Sequence, residues 1–247
     1  MIRKLAFLIL FAIPSTVFAQ FSGVISYDAY NPSSSSGEVV NINMAFSENR
    51  IAVDSNISMN LMAGLRTRGV YVRHDLNDFV VVTTDDEGLK ITKTELDNLV
   101  GMINQFQGRT PAAEQKPFDW DQRVRETGET KEIHGYSSVE FELDGEREGE
   151  VISVWLTDKI KVDWGLLLDA WSSVGASQFD QEIPIEILMN ANSFPLLVEV
   201  KRAGQVVYRA ESTSVSSPLN DLSLVNVPES LKLLGLSDLM MNFFRQQ

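Results

Sequence analysis

The sequence predicts an α+β fold, a curved antiparallel sheet with two or three helices packed on its concave face. Short segments that alternate apolar and polar residues recur along the 247-residue chain and indicate strands. Turn residues such as Gly, Asn, Asp and Ser separate many of these segments, which is typical of hairpins. Two further segments repeat apolar residues at helical spacing, so helices are expected beside the sheet.

The first half of the chain predicts a meander of antiparallel strands. The expected strands cover residues 21–30, 39–46, 51–54, 69–75 and 78–84. A turn over Asp85-Asp86-Glu87-Gly88 precedes one more short strand at 89–91. The segment from Ile57 to Leu65 fits neither the strand period nor the helix period. It is therefore expected to form a loop or an irregular strand.

A first helix is predicted where five apolar residues follow helical spacing: Leu96, Leu99, Val100, Ile103 and Phe106. Thr94, with Asp97 three places later, resembles a capping box and marks the expected start of this helix. The segment Gly108 to Phe118 contains Gly, two Pro and Gln. It is expected to be a flexible connector.

The second half alternates hairpins with helices. Strands are expected at 123–126, 132–143, 151–157, 196–202, 206–213 and 222–227, with Gly135 at a bulge or a close backbone approach. A second helix is expected from Asp163 to Val174, with Asp163 as its N-cap. One stripe of this helix carries Trp164, Leu167, Leu168 and Trp171. Short helices are expected at 184–189 and 237–244.

The first nineteen residues have the order of a secretory signal peptide. Arg3 and Lys4 precede a short apolar run, and Val17-Phe18-Ala19 supplies small residues before a cleavage site. We expect cleavage after Ala19 and a single domain over residues 20–247. The mature protein is then expected in the periplasm or, alternatively, secreted. Gln20 stands where a lipoprotein would carry its acylated Cys, so no lipid anchor is expected.

Composition excludes several classes of function. The formal net charge is −13, which disfavours nucleic acid and anionic lipid surfaces as partners. The chain contains no Cys, so disulfides, thiol nucleophiles and thiolate metal sites are absent. No segment after the signal is long and apolar enough to predict a transmembrane helix. No phosphate-binding glycine loop, zinc signature or dinucleotide fingerprint occurs, so we expect no cofactor.

Two groups of residues could carry chemistry, and for both a structural role is favoured. Ser138 is at an even separation from His134 and would share its strand face, but the spacing along a strand puts the two residues beyond hydrogen-bonding reach, and nothing marks this Ser as a nucleophile. The acidic clusters around Asp85 and Asp144–Glu150 lack EF-hand spacing and are expected to be solvated turns. We therefore predict no catalytic residue and no metal site.

The segment Glu126 to Tyr136, E-T-G-E-T-K-E-I-H-G-Y, and the strand Val154-Trp155-Leu156-Thr157 resemble the middle of the DUF4412 family of exported bacterial proteins. The later Pro195-Leu196-Leu197, Ala203-Gly204 and Val227-Pro228-Glu229 follow in the expected order. Many relatives carry Cys where this chain has Ser137 and Ser138. The family is similar to the LolA/LolB lipoprotein carriers, which implies a half-open barrel closed by helices over an apolar hollow.

The apolar helix faces are the candidate ligand-binding residues. They are core residues in the simplest interpretation, and in the second they line a hollow for an apolar ligand. The candidate lining is Leu99, Ile103, Phe106, Trp164, Leu167, Leu168 and Trp171.

The leading hypothesis is an exported, non-enzymatic soluble protein that binds or carries a lipid or lipoprotein component of the envelope. An envelope interaction or structural module, which would use a sheet edge or the connector, is the alternative. A small outer-membrane barrel is a third hypothesis, because short amphipathic strands after a signal peptide also fit it.

Overall fold

The structure, a computed structural model, is dominated by one open sheet of twelve strands. It describes residues 20–32, 38–62, 65–106, 120–145, 147–168 and 185–238. The strands are β1 Gly23–Tyr30, β2 Val39–Phe46, β3 Arg50–Met62, β4 Leu65–Arg73, β5 Asp78–Val82, β6 Glu87–Thr92, β7 Val124–Ile133, β8 Tyr136–Asp144, β9 Glu150–Thr157, β10 Phe194–Arg202, β11 Gln205–Ser216 and β12 Lys232–Gly235.

The strand order is β12-β6-β5-β4-β3-β2-β1-β11-β10-β9-β8-β7. Ten of the eleven neighbouring pairs are antiparallel, and the pair β12–β6 is parallel. The prediction of an α+β fold, a half-open barrel of LolA type with two or three helices on its concave face, is wrong. The described helices are short and do not form a layer against the sheet.

The described helices are α1 Lys93–Phe106, α2 Trp120–Arg123, α3 over residues 165–168 and α4 Ile185–Leu188. A capping box opens α1, two residues earlier than predicted. The Thr92 hydroxyl accepts from the Glu95 N–H at 3.2 Å, and the Glu95 carboxylate accepts from the Thr92 N–H at 2.8 Å. The predicted caps Thr94 and Asp97 lie inside the helix instead.

Leu222–Val225 forms a 3-10 helix, so the strand predicted at 222–227 is wrong. The Asp221 carboxylate caps it by accepting from the Ser223 N–H at 2.9 Å. This side-chain bond gives the backbone a local partner in place of a neighbouring strand. The connector from Gly108 to Phe118 lies outside the described residues, as do the later parts of the helices predicted at 163–174 and 237–244.

Two tight hairpins have central residues with positive φ, as type I′ turns require. His134 and Gly135 have φ of 51° and 81° between β7 and β8, and Ala203 and Gly204 have 49° and 78° between β10 and β11. Gly135 therefore serves a turn. The predicted bulge or close approach at this residue is wrong, because no other part of the chain lies within 4 Å of the position of a Cβ there.

The tip of the β7–β8 hairpin bends across the end of the sheet. Its His134 ring donates from Nε2 to the carbonyl oxygen of Ser212 in β11, at 2.7 Å. Strands β9 and β10 stand between β8 and β11, a separation of roughly 14 Å in a flat sheet. The hairpin tip must therefore fold over, which brings Ile133 and Tyr136 against the main core.

Candidate functional site

The candidate site lies on the apolar face of the sheet that carries the main core. Cross-strand partners share a face, so the register arranges this face in rows. We define the sealed row as Phe46, Ile51, Val72, Phe79 and Ile91, which are paired in turn across β2 to β6. Each of these five side chains is at most 4% exposed.

The next row on the same face differs from the sealed row at its centre. We define the open row as Met44, Val53 and Val70, paired in turn across β2, β3 and β4. All three are only partly buried, and so is Ile42, which lies two residues before Met44 on the same face. Aliphatic side chains of three adjacent strands thus form one partly accessible surface.

An aromatic cluster covers the face at the end of the sealed row. The ring of Trp164 stacks on Phe194, with a centroid distance of 5.8 Å and an interplanar angle of 10°. Phe46 meets both rings edge to face at 5.9 Å, and Phe21 meets Phe46 at 5.8 Å. The Trp164 indole also donates to the Asn190 carbonyl at 3.2 Å. Trp164 is therefore a fixed core residue.

The predicted lining residues divide into three groups. Trp164 is 4% exposed within the aromatic cluster, and Leu167 and Leu168 are partly buried against the same core. Leu99, Ile103 and Phe106 belong to α1, but their side chains are not among those described. Trp171 lies outside the described residues.

The open row was not predicted from the sequence, although the alternation of apolar residues along β2 was present. Residues 40, 42, 44 and 46 of β2 are all apolar and alternate with polar or small residues, which places them on one face. Alternation does not reveal whether that face is covered. Only the assembled sheet shows that Phe46 is fully buried whereas Met44, two residues earlier on the same face, is partly exposed.

The two histidines and Ser138 are not arranged for nucleophilic catalysis. The Nε2 atom of His134 is occupied by the Ser212 carbonyl. Ser138 is fully buried, and its hydroxyl donates to the carbonyl of Tyr136 at 3.4 Å. His74 lies in the β4–β5 turn, where its backbone N–H donates to the Asn49 carbonyl at 2.9 Å, and its buried Nε2 has no hydrogen-bond partner among the described atoms.

The acidic clusters have separate roles. Asp85 is exposed and pairs with Arg68 at 3.1 Å, as expected for a solvated turn. Glu150 differs from the expectation, because its side chain is 1% exposed and pairs with Arg202. A Cβ on Gly145 would lie 2.3 Å from Glu150 Oε1, so only Gly allows this carboxylate to pack there. Within the described ranges no three His, Asp or Glu side chains are grouped in a way that could hold a metal ion.

The opposite face of the sheet carries a hydrogen-bonded polar band. Asn41 donates to Asp28 at 2.7 Å, and Tyr30 donates to Glu211 at 2.8 Å. Arg209 lies 3.2 Å from Glu211 and 3.5 Å from Glu199. The sheet is therefore apolar on one side and largely polar on the other, as in antiparallel sheets that have one solvated face. The largely polar side also carries one small buried apolar cluster, formed by Ala45, Ala52 and Val225.

The pKa values of two tyrosines, one on each face of the sheet, are raised by different causes. Burial raises the pKa of Tyr27 well above its usual value, because the phenolate would be formed in the core beside Phe194. The pKa of Tyr30, on the polar face, is also raised, chiefly by its hydrogen bond to the Glu211 carboxylate. Both tyrosines therefore hold their protons more tightly in the folded protein.

No protein-family model and no curated protein matches this chain. Solved structures of PNGF-II in the C2 and P21 space groups are similar to it, with TM-scores of 0.38 and 0.40 and 14% sequence identity. The alignments cover 92% and 93% of this chain and 33% and 34% of the PNGF-II chains, so this chain spans about a third of their length. Nothing about activity follows from a likeness at this level.

Among the helices that the structure describes, none combines the length and the apolar character that a membrane crossing needs.

Proposed function

We propose that this chain is an exported, non-enzymatic protein that binds an apolar envelope molecule, a lipid or a lipoprotein acyl chain, against the open row. The observation that carries the proposal is the partial exposure of Met44, Val53 and Val70 directly beside the fully covered sealed row. Each Å² of this apolar surface that a ligand removes from water contributes about 25 cal/mol of favourable free energy to binding.

Neighbouring residues fit this binding mode. Ile42 extends the open row along β2, and Leu167 and Leu168 are partly buried against the same core. The aromatic cluster supplies a rigid floor, because Trp164 is held by Phe46, Phe194 and a hydrogen bond. Within the described ranges this surface is apolar, and the histidines and Ser138 are not aligned beside it, which favours binding over chemistry.

Export is supported by the position of the first core residue. Phe21, two residues after the expected cleavage site, is 8% exposed, and its N–H donates to the Lys161 carbonyl at 2.8 Å. Cleavage after Ala19 would therefore leave Phe21 and its contacts in the mature chain. The resemblance to DUF4412 supports the same compartment and remains a prediction.

The binding experiment compares two variants of adjacent residues. Met44→Glu places a charge on the open row, whereas Asn43→Glu places the same charge on the polar face of the same strand. We expect Met44→Glu to raise the Kd of an environment-sensitive apolar dye at least about tenfold, because a charge is costly in an apolar contact. Asn43→Glu should bind as the wild type does, with circular dichroism confirming that both variants fold.

Native mass spectrometry of protein purified from its own envelope provides the second measurement. An apolar molecule that co-purifies with the wild type and is lost from Met44→Glu would support the proposal. Equal dye binding by the two variants, with no co-purifying molecule, would contradict it.

A second function, an envelope interaction module, is favoured by the edge strand β7. Its residues are exposed along most of their length, including Glu129, Thr130 and Lys131. Edge strands can pair with another chain, although the charges and the irregular register here limit unselective pairing. A photo-crosslinker at Thr130 that captures one protein in stoichiometric yield in cells, while the same group at Asn43 captures none, would favour this function.

A further inference from the structure

We propose that the mature chain begins with pyroglutamate formed from Gln20. The inference rests on the proposed cleavage after Ala19, because only that cut makes Gln20 the first residue. It is a modification site defined by two features of the structure: the contacts of the Gln20 side chain and the anchoring of the residue that follows it.

The reaction needs no partner enzyme and no redox reagent. The neutral α-amine of Gln20 attacks Cδ of its own side-chain amide, the new N–Cδ bond closes a five-membered lactam, and the Cδ–Nε2 bond breaks. The nitrogen leaves as ammonia, and its extra proton comes from the attacking amine. A terminal α-amine has a pKa of about 7.7 to 8.0, so a reactive neutral fraction exists near pH 7.

Two backbone groups near Gln20 can bond to the polar groups of the product. In the orientation that satisfies both partners, the Gln20 amide donates to the Glu48 carbonyl at 3.1 Å and accepts from the Asp163 N–H at 3.3 Å. Cyclisation removes the Nε2 donor, but the lactam has one N–H donor, on the former α-nitrogen, beside the retained carbonyl acceptor. Once Cδ has moved to the α-nitrogen, the ring offers one donor and one acceptor to the same two backbone partners.

Cyclisation also leaves the anchor of the terminus intact. The Phe21 N–H, which donates to the Lys161 carbonyl at 2.8 Å, takes no part in the reaction. The Phe21 ring stays packed on Phe46. The product is an uncharged end fixed to the core, with no α-amine left for an aminopeptidase to engage.

The test uses full-length protein expressed with its own leader, purified from the cell envelope and held at neutral pH. The N-terminal peptide is examined by mass spectrometry after the protein has reacted with an amine-specific reagent. We expect a wild-type peptide that starts at residue 20, lacks the mass of one ammonia and carries no label on its α-nitrogen. The matched variant Gln20→Glu, whose carboxylate is a far poorer acceptor for the amine, should be labelled.

Two results would overturn the inference, and they differ in what else they affect. A wild-type peptide that begins with an intact, labelled Gln20 disproves cyclisation and leaves the proposed cleavage standing. A mature peptide that begins at any other residue disproves both. Neither result changes the dye-binding test of the open row, so failure of this inference is distinguishable from failure of the proposed function.

Discussion

The sealed row and the open row lie side by side on one face of one sheet, yet they meet different surroundings. Their members are two residues apart along each strand, about 7 Å. The sealed row is buried along its whole length, and the aromatic cluster covers it at the Phe46 end, whereas the centre of the open row keeps partial contact with water. The difference teaches that apolar patterning defines a face, while the segments that cross that face decide which part is core and which part can bind.

The largest expected effect separates the two rows directly. Phe46→Ala should lower the free energy of unfolding by about 3 to 5 kcal/mol, because it removes a fully buried ring that contacts Trp164 and Phe194. Met44→Ala, two residues away, should cost only about 1 kcal/mol, since part of that side chain is already hydrated. Urea unfolding of the two variants provides the measurement. Equal losses would remove the distinction between the rows.

The second largest effect concerns the ion pair between Arg73 and Asp78, which join β4 and β5 next to the sealed row. Asp78 is 3% exposed at its side chain and accepts two hydrogen bonds from Arg73, at 2.6 and 2.8 Å. Asp78→Ala should cost about 3 kcal/mol, because it leaves a largely buried guanidinium without its partner. Asp85→Ala, which removes the exposed partner of Arg68, is the matched control and should cost less than about 1 kcal/mol.

A smaller effect is expected at the start of α1, whose Leu96 reaches the core beside the sealed row. Thr92→Ala removes one half of the capping box and should cost about 1 kcal/mol in urea unfolding. Hydrogen bonds from Thr92 lower the pKa of Glu95, so this contribution is present at neutral pH and lost as the pH falls through the folded pKa of Glu95. A variant as stable as the wild type at pH 7 would contradict the role of this cap.

The smallest expected effect is that of Tyr27 ionisation on stability, which is negligible near neutral pH and measurable only at alkaline pH. The folded-state pKa of Tyr27 is raised, so the native state binds more protons than the unfolded state above pH about 10, and stability falls as the pH rises. Unfolding curves between about pH 9 and about pH 11, one unit either side of that value, should show this decline. Tyr27→Phe should flatten it. An unchanged slope in this variant would place the responsible group elsewhere.

Local features of the fold were predictable where neighbours in the chain determine them. The turn at Ala203-Gly204 and the short helix near Ile185 were found from local signals. The start of α1 was misplaced by two residues because Thr94 with Asp97 was chosen over Thr92 with Glu95, although Glu is the residue that a capping box prefers at its last position.

Long-range features could not be predicted in the same way. No local pattern states that β12 joins β6 in parallel, or that α3 and Phe194 cover one end of the apolar face. The helical spacing of Trp164 and Leu168 indicated an apolar stripe correctly. It could not show that Trp164 is enclosed by rings from β2 and β10.

The central position of β1 has a consequence for the order in which an exported chain folds. This strand is the first to be made, yet it lies between β2 and β11, and Tyr30 bonds to Glu211, 181 residues later. Until β11 arrives, β1 presents an unpaired strand edge. Among the described strands, the two halves of the sheet pair with each other only at β1 and β11. Under the proposed export, completion of the sheet waits until nearly the whole chain has crossed the membrane, and slow, late closure is the expected course.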